Sequence, residues 1–466
     1  MSNYLENSAH EPVLVVGHRN PDNDSICSAV AYANLKNELA TRKSSLGEDE
    51  AGHIYIPVRL GSLPNESKWV LEKNGFALPE LISHVYTRVS DVMTPNPVSI
   101  SPTATLLDAG RLLKKHNIRS LVVADEVEQF CGIISTRNIA ERYVFATEIL
   151  DENESANTHD VAISLEKSLT QPVHELMSTD VLQVESDALL KDTIPDLMES
   201  ALRECVVVDE ENHAIGIVTR SDIATNKKRK VILVDHNEIT QAAPGIQTAE
   251  VVEIVDHHRI ADVSTSAPIK FLALPIGATA TIVAMEYTKH NVEITPAIAQ
   301  VLLSAIMTDT VLLKSPTTTH ADREQADILA NIAGVDADLF GIEVYKTRGN
   351  EKEMSVEELI TSDAKEFVMD DARIMISAFE TVDLASVLAR EDEIRSHMRD
   401  ILKSKGYEFV LFMVTDITRV GSQFICEGNR RAMNKAFNIK CTGEGGTWMP
   451  GIISRKKQVA ARLLNN

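Results

Sequence analysis

The sequence of 466 residues predicts an α/β protein: a doubly wound parallel sheet, interrupted by an inserted tandem repeat and followed by a smaller α/β domain. Three observations predict it. The apolar runs at 13–16, 231–234 and 251–255 read as buried strands, and each ends in a cluster of Asp, His or Asn. Blocks within 89–224 recur at one constant offset, which marks two copies of one unit. From about Tyr345 to Asn466 a further set of strands and a charged helix over 384–405 form a second domain.

Composition narrows the function classes. Apolar residues make up 44% and charged residues 24%, an ordinary globular mixture long enough for three or so domains. With 46 Lys and Arg against 68 Asp and Glu the net charge is −22, so nucleic acid is not an expected partner. Cysteines at 27, 131, 205, 426 and 441 are odd in number and scattered, as core or free thiols of a reducing compartment would be. No signal-peptide pattern opens the chain, and no apolar run reaches the roughly 18 residues that span a bilayer. A cytoplasmic protein without membrane contact is therefore expected.

The first strand runs into Gly17-His18-Arg19-Asn20-Pro21-Asp22-Asn23-Asp24-Ser25, and a helix is expected from Ile26 to about Ala40. In open α/β sheets ligands bind at the carboxyl ends of strands. Pro21 and the Asn/Asp-rich turn would hold His18, Asp22 and Asp24 on a short loop, close enough to share one metal cluster. Imidazole and carboxylate without thiolate suit ions such as manganese. A charged loop over 44–52, a strand over 54–58 and a helix over 65–74, opened by Pro64 and closed by Gly75, follow. This βαβα pattern, the first part of the interrupted sheet domain, covers 1–83 and then breaks off.

Residues 84–229 hold the repeat, with one copy at about 86–148 and the other at about 168–226. Ser90-Asp91-Val92-Met93-Thr94 corresponds to His174-Glu175-Leu176-Met177-Ser178, Val122-Val123-Ala124-Asp125 to Val206-Val207-Val208-Asp209, and Gly132-Ile133-Ile134-Ser135 to Gly216-Ile217-Val218-Thr219. Each unit resembles a CBS domain, and the pair resembles a Bateman module. The resemblance implies adenine nucleotides in the cleft between copies. The family's ribose-and-phosphate motif, a hydroxyl residue with Asp three positions later, is met by Thr219 and Asp222. In the first copy Ser135 is followed by Asn138, which accepts at one oxygen only, so one strong site or one composite site is implied. Arg119 and Arg203 are equivalent and could reach phosphates or form surface ion pairs. Some CBS pairs bind nothing and only dimerise. The polar stretch 151–160 reads as a linker or frayed helix between copies, and Lys227-Lys228-Arg229-Lys230 as a solvated hinge.

The sheet then resumes over 230–335. The strand 231–234 ends in Asp235-His236-Asn237-Glu238, and the strand 251–255 in Asp256-His257-His258. Gly277-Ala278-Thr279-Ala280-Thr281 opens a helix, and a second apolar helix from Pro296 ends at Thr308-Asp309-Thr310. Acidic and imidazole groups converging on one rim would repel one another unless cations neutralise them.

His-x-x-x-Asp-x-Asp, a strand-end Asp, Asp-His-His and Thr-Asp-Thr, in this order, resemble the DHH phosphoesterase superfamily. Within it the chain is similar to family II inorganic pyrophosphatases, and with the inserted pair it resembles the CBS-containing regulated ones. Asp363-Ala364-Lys365-Glu366-Phe367 and Ser454-Arg455-Lys456-Lys457-Gln458 stand as that family's DHHA2-like terminal domain, 345–466, has them. Gly443-Glu444-Gly445-Gly446-Thr447 has no His and does not supply the Gly-Gly-Gly-His motif of other branches.

The resemblance assigns His18, Asp22, Asp24, Asp235, His257 and Asp309 as ligands of two Mn2+ or Co2+ ions, with Asp235 and Asp309 bridging and Mg2+ accompanying the substrate. His258 becomes a substrate-side polarising group or proton donor, and Lys365, Arg455 and Lys456 become phosphate binders. Hydrolysis of pyrophosphate to two phosphates suits this set, because two ions about 4 Å apart can share a bridging hydroxide of lowered pKa. Arg455 would grip oxygens bidentately while the lysines act as point charges. A hinge over 330–345 would let the domains close on substrate. AMP or ADP is expected to inhibit, and ATP or a diadenosine polyphosphate to activate. A homodimer or homotetramer is expected by analogy. Two rivals remain at this point: a phosphodiesterase acting on short oligonucleotides or cyclic dinucleotides, and a nucleotide sensor with an inactive hydrolase half. The first would need base-stacking aromatics, which form only 5% of residues, and the second a missing ligand.

Overall fold

The computed structural model describes residues 11–46, 52–152, 157–348, 354–369, 372–439 and 445–464. It divides into two compact units, one of Met1–His84, Lys230–Ile246 and Glu250–Asn466 and one of Val85–Arg229 with Gln247–Ala249. No helix among the described residues is long and apolar enough to cross a membrane.

In the first unit, strands β1 (Glu11–Val16), β2 (His53–Arg59), β3 (Glu80–Leu81), β4 (Lys230–Val234), β5 (Glu250–Asp256) and β6 (Lys270–Ala273) form one parallel sheet. Their order is β6-β5-β4-β1-β2-β3. The chain winds outward from β1 to β3 and, after the insert, returns beside β1 to wind the other way. The point of reversal lies between β1 and β4, where doubly wound sheets open a crevice at their carboxyl ends.

Helices α1 (Asn23–Leu46), α2 (Asn65–Lys73), α3 (Thr279–Lys289), α4 (Pro296–Asp309), α5 (His320–Ala333) and α6 (Ala337–Arg348) pack into the same core. α1 starts three residues before the expected position and continues through Ser44 to Leu46. The rest of the expected charged loop, 47–51, lies outside the described residues. Asn74 and Gly75, the latter at φ 73°, end α2. α4 is buried along almost its whole length because helices flank it on several sides. Thr295 starts it by accepting the Ile298 N–H, with Pro296 at the first helical position, where its missing N–H costs nothing. Each fully buried side chain such as Leu302 or Ile306 contributes roughly 1.5–3 kcal/mol.

The expected hinge over 330–345 is not a linker. It holds the end of α5, a Gly334 turn at φ 66° and most of α6, with Phe340, Val344 and Tyr345 buried in the first core. The apolar spacing on α6 overrides any flexibility.

The second domain is a mixed sheet of β7 (Ala364–Met369), β8 (Ala372–Thr381), β9 (Phe409–Asp416), β10 (Gly421–Gly428) and β11 (Thr447–Pro450), paired in that order. Only β8 and β9 run parallel. The helix expected over 384–405 is broken into Leu384–Leu388 and Glu391–Lys405. At the break Arg390 Nη1 donates to the Met354 carbonyl at 2.6 Å. Cys441, Gly443 and Glu444 lie outside the described residues.

In the second unit the two copies exchange strands. Thr94 pairs with Ile217 of the other copy, and the equivalent Ser178 pairs with Ile133. This exchange explains the repeated Met and Gly residues. A Cβ on Gly216 would lie 2.4 Å from Met93 Sδ, and one on Gly132 would lie 2.6 Å from the Ser178 carbonyl and 3.1 Å from Met177 Sδ. Ser120 Oγ donates to Glu204 Oε2 at 2.8 Å, joining positions 84 apart in sequence. The stretch 151–160 is helical at both ends, closing Thr136–Glu152 and opening Thr158–Thr170, and 153–156 lie outside the described residues. The basic run is not a solvated hinge throughout. Arg229 is buried and ion-paired with Asp91 at 2.6 Å, and Lys230 begins β4 and donates to Glu11 at 2.7 Å. Their carboxylate partners hold them in place.

Asp322 is fully buried and knits α5 to the loop before α3. It accepts from the N–H groups of Gly277 and Thr319 and from the hydroxyls of Thr281 and Thr319, at 2.7–2.8 Å. Asp322→Ala should cost about 3 kcal/mol, since it strands several buried donors. The expected result is a lowered thermal-unfolding midpoint of the catalytic unit by circular dichroism.

Candidate metal centre

Three strand ends and one helix end build the site. After β1, Gly17 allows the turn onto α1, because a Cβ there would lie 1.9 Å from Ser25 Oγ. Ser25 Oγ instead accepts the His18 N–H at 3.0 Å, and the Ser25 N–H donates to Asp22 Oδ1 at 2.9 Å. Asp24 is not on a loop but in the first turn of α1. After β4, Asp235 takes φ 64°, a left-handed conformation costing on the order of 1–2 kcal/mol in a non-glycine residue. Its N–H donates to the Val255 carbonyl at 2.9 Å, which ties this bend to β5. His257 and His258 follow β5, and Asp309 ends α4.

The six residues assigned as ligands fall into two triads, His18-Asp22-Asp235 and Asp24-His257-Asp309. The candidate ligand atoms within each triad lie within 4.8 Å of one another. Asp235 Oδ1 joins the triads at 3.5 Å from His257 Nε2. His18 Nε2 lies 3.6 Å from Asp22 and 3.4 Å from Asp235, and His257 Nε2 lies 3.5 Å from Asp309. Two donors each about 2.1 Å from one ion at 90–110° stand about 3–3.5 Å apart. The donor spacing therefore fits octahedral or tetrahedral cations. Asp235 also lies 3.7 Å from His258, and Asp309 meets Asp24 and His257.

Electrostatics gives the same fit. Burial, then Asp235 and Asp22, pushes Asp24 well above the carboxylate range, and burial with Asp24, Asp22 and Asp235 does the same to Asp309, with Arg348 opposing. Burial also disfavours charged Asp22, yet the neighbouring His18 holds it below its usual value. Burial alone would lower His18, but its bonds to Asp22 and Asp235 carry it up to about 10. Protons thus take up charge that divalent ions would otherwise balance. The oxygen and imidazole donors, with no thiolate among them, suit manganese or cobalt.

Surrounding groups aim the ligands. The N–H groups of Thr279 and Ala280, at the start of α3, donate to Asp24 at 2.6 and 2.9 Å, and Ser28 Oγ donates at 2.9 Å. A carboxylate has about four lone-pair sites, so one remains for a cation. Thr279 Oγ1 donates to Asp235 at 2.9 Å. The Ile276 carbonyl lies 3.0 Å from His257 Nδ1, which leaves Nε2 for a metal. Asp256 lies 2.9 Å from His258 Nδ1 and, as the leading cause, raises that imidazole to about 9.

Sequence reasoning missed Asn23, which stands between two ligands and is wholly buried. Its amide donates to Ser304 and Thr308, and its carbonyl accepts from Ser67 and Cys27, which pins α1, α2 and α4 together beside Asp309. The only local signal was an amide within an otherwise acidic turn. Asn237, which donates to Asp256 and to the Arg259 carbonyl, was also missed.

The other assigned residues lie elsewhere. Lys365 is exposed on β7, and Arg455 is ion-paired with neighbouring Asp363 at 2.8 Å. Arg455 Nε is buried with no hydrogen-bond partner among the described residues. Ser454 and Gln458 shape the π-helical turn Arg455–Ala460 that also presents exposed Lys456. No hydrogen bond or ion pair among the described residues joins these three cations to the strand-end cluster. In the insert, Arg119, Arg203, Ser135 and Thr219 line a cleft of about 670 Å³. Asp222 and Asn138 do not line it. Each caps its own helix, by accepting from the N–H and hydroxyl of Thr219 or of Ser135, and Asn138 also donates to the Leu176 carbonyl.

Mn2+ at a hundred times its dissociation constant should stabilise the chain by about 2.7 kcal/mol and raise its unfolding temperature. Asp235→Asn should remove most of that rise without lowering the metal-free midpoint, as read by differential scanning calorimetry.

Comparison with known proteins places the chain in a family. Residues 12–306 match the DHH family, N-terminal domain, and 343–465 match the DHHA2 domain. A cobalt-dependent inorganic pyrophosphatase of Clostridium perfringens is 28% identical over 97% of both chains. A manganese-dependent inorganic pyrophosphatase of Methanocaldococcus jannaschii is 36% identical, over 53% of this chain and 83% of its own. A Methanococcus jannaschii crystal structure, provisionally assigned as a family II inorganic pyrophosphatase, superposes with TM-score 0.50 and 25% identity over 98% of this chain and 100% of that one. The chain belongs to the DHH family and, within it, to the manganese- or cobalt-dependent inorganic pyrophosphatases, which are metal-dependent hydrolases.

Proposed function

We propose that the chain hydrolyses inorganic pyrophosphate to two phosphates, at a rate set by adenine nucleotides in the insert. The observation that carries the first half is the pair of ligand triads meeting where Asp235 approaches His257. His18, Asp22 and Asp235 would hold one Mn2+ or Co2+, and Asp24, His257 and Asp309 the other, with Asp235 and Asp309 shared and Mg2+ arriving with the substrate. Bound divalent ions supply charge neutralisation and activation of water at neutral pH.

The chain's own residues do the remainder. Pyrophosphate has no apolar surface, so cationic side chains must bind it. Arg455 would turn its guanidinium from Asp363 to equatorial oxygens, and Lys365 and Lys456 add charge on exposed positions. His258, held at Nδ1 by Asp256, which favours its protonated form, would have Nε2–H left to polarise a phosphate oxygen or donate a proton. Residues 1–83 and 230–335 form the DHH domain in this reading, and 345–466 the DHHA2-like domain.

Residues 84–229 are read as the CBS pair, a reading that the exchanged strands and the arginine-lined cleft support. Arg119 and Arg203 suit phosphates. Ser135 and Thr219 offer hydroxyls in the cleft, and Asp222, behind Thr219 and outside the lining, has one carboxylate oxygen free and would have to turn toward a ribose to hold it. Asn138 has spent its amide on the protein, which favours a single asymmetric site. AMP or ADP inhibits and ATP or a diadenosine polyphosphate activates in this proposal, through a coupling of about 1–3 kcal/mol. The assembly is a homodimer or homotetramer.

Phosphate release from pyrophosphate should be seen with Mn2+ and lost in chelator, while a short oligonucleotide stays intact; cleavage of the oligonucleotide alone would refute the assignment. Titrating each nucleotide into the assay should change the rate by about 5- to 150-fold at saturation, and a rate indifferent to all of them would remove the regulatory half.

A further inference from the structure

α6 ends in Arg348, the last helical residue before the chain passes to the second domain. Its Nε donates to Glu66 Oε1 of α2 at 2.8 Å, and its Nη1 to Glu380 Oε2 of β8 at 2.9 Å. One guanidinium therefore joins a carboxylate of the first domain to one of the second. It also lies 4.8 Å above the ring of Tyr345. Tyr345 is buried, and its hydroxyl donates to the Thr308 carbonyl at 2.9 Å, directly before Asp309. The bridge thus stands one residue pair away from the helix end that carries a candidate metal ligand.

A second tie runs in parallel. Val311, Leu312 and Leu313, immediately after α4, have φ of 51°, 53° and 58°. Side chains of these types rarely adopt that backbone, and each costs on the order of 1–3 kcal/mol. The left-handed turn delivers Lys314, whose Nζ donates to the carbonyls of Ile417 and Thr418 in the β9–β10 turn at 3.0 and 3.4 Å. Both ties leave from elements that border Asp309 and end on the second domain.

Each domain has an apolar core, and Ile417 of the β9–β10 turn packs into the first one beside the carbonyls that Lys314 holds. The polar ties act with that contact on the spacing between domains. Glu66 is 5% exposed, which makes an unpaired charge there costly and keeps Arg348 anchored to the first domain. Glu380 is only half-buried and is the releasable end.

We propose that Arg348 is a positioning residue: by bridging Glu66 and Glu380 it sets how far the second domain reaches over the metal centre. The phosphate-binding side chains of that domain then meet the substrate at a fixed distance. This rests on the pyrophosphatase reading given above.

The test uses the full Mn2+-loaded chain with Arg348→Gln, Glu380→Gln and the double variant. Each single variant should raise KM for pyrophosphate about tenfold, the scale of one lost charge-assisted hydrogen bond, with a smaller change in kcat. The double variant should be no worse than the poorer single one. Mn2+ affinity, from electron paramagnetic resonance of the free ion, should be unchanged in Glu380→Gln, which leaves the Arg348 charge near Asp309 in place, and small-angle scattering should show wider domain separation in the variants. KM near the wild-type value in Glu380→Gln, losses that multiply in the double variant, or Mn2+ affinity falling in step with KM in Glu380→Gln would each overturn the proposal. Should the wild-type chain leave pyrophosphate intact, the functional reading fails, and scattering still decides the role of Arg348. Identical profiles for wild type and variants would then refute it.

Discussion

Four carboxylates, Asp22, Asp24, Asp235 and Asp309, are brought to one rim of a parallel sheet, and their mutual repulsion governs the rest of the catalytic unit. Burial and like charge push Asp24 and Asp309 upward, and two imidazoles take up protons beside them. Such a cluster is costly as it stands and becomes favourable when divalent ions neutralise it. The protein meets the remaining cost with oriented dipoles. The amino end of α3 points its N–H groups at Asp24, and buried hydroxyls and amides surround the other ligands.

The sheet makes this arrangement possible. Its winding reverses between β1 and β4, so the turn holding His18 and Asp22 meets the turn holding Asp235, with His18 Nε2 3.4 Å from the carboxylate. Asp235 reaches its place only through a left-handed backbone, strain that the bond from its N–H to β5 helps to hold. Local strain at Asp235, which brings one triad within 3.5 Å of His257 in the other, matches the general tendency of such conformations to gather at working sites.

The insert obeys a different constraint. It leaves the sheet after β3 and re-enters directly as β4, the strand that ends on Asp235. Its two copies depend on each other, since each pairs backbone with and sets a methionine against its partner, where a Cβ on Gly132 would meet the Ser178 carbonyl and one on Gly216 would displace Met93. A ligand in their common cleft would act on a unit whose halves cannot rearrange independently. Arg229, held by Asp91, ends that unit one residue before β4 begins.

Much of the fold and of the candidate ligand cluster was legible in the sequence because the signals were local and repeated. Apolar runs ending in Asp or His marked the strands, the fixed offset marked the insert, and His18, Asp22, Asp24, Asp235, His257 and Asp309 all came from such strand or helix ends. What failed to show was whatever depends on partners distant in sequence. The 330–345 segment looked like a hinge until Phe340, Val344 and Tyr345 were seen to enter the core, and Lys230 looked solvated until Glu11 was found beside it. Asn23 carries no pattern, yet residues some 280 positions away complete its hydrogen bonds. Asn138 reads as a ribose acceptor by position, but the Leu176 carbonyl and the turn at Ser135 use up its amide. By itself the sequence determined which side chains could bind cations and where the strands lie, because residue chemistry and period-two or repeat patterns are written along the chain. Only the tertiary structure decided which ligands share a site, how Asp235 is bent toward both triads and where Arg348 spans the domains, because distances between remote residues follow from packing.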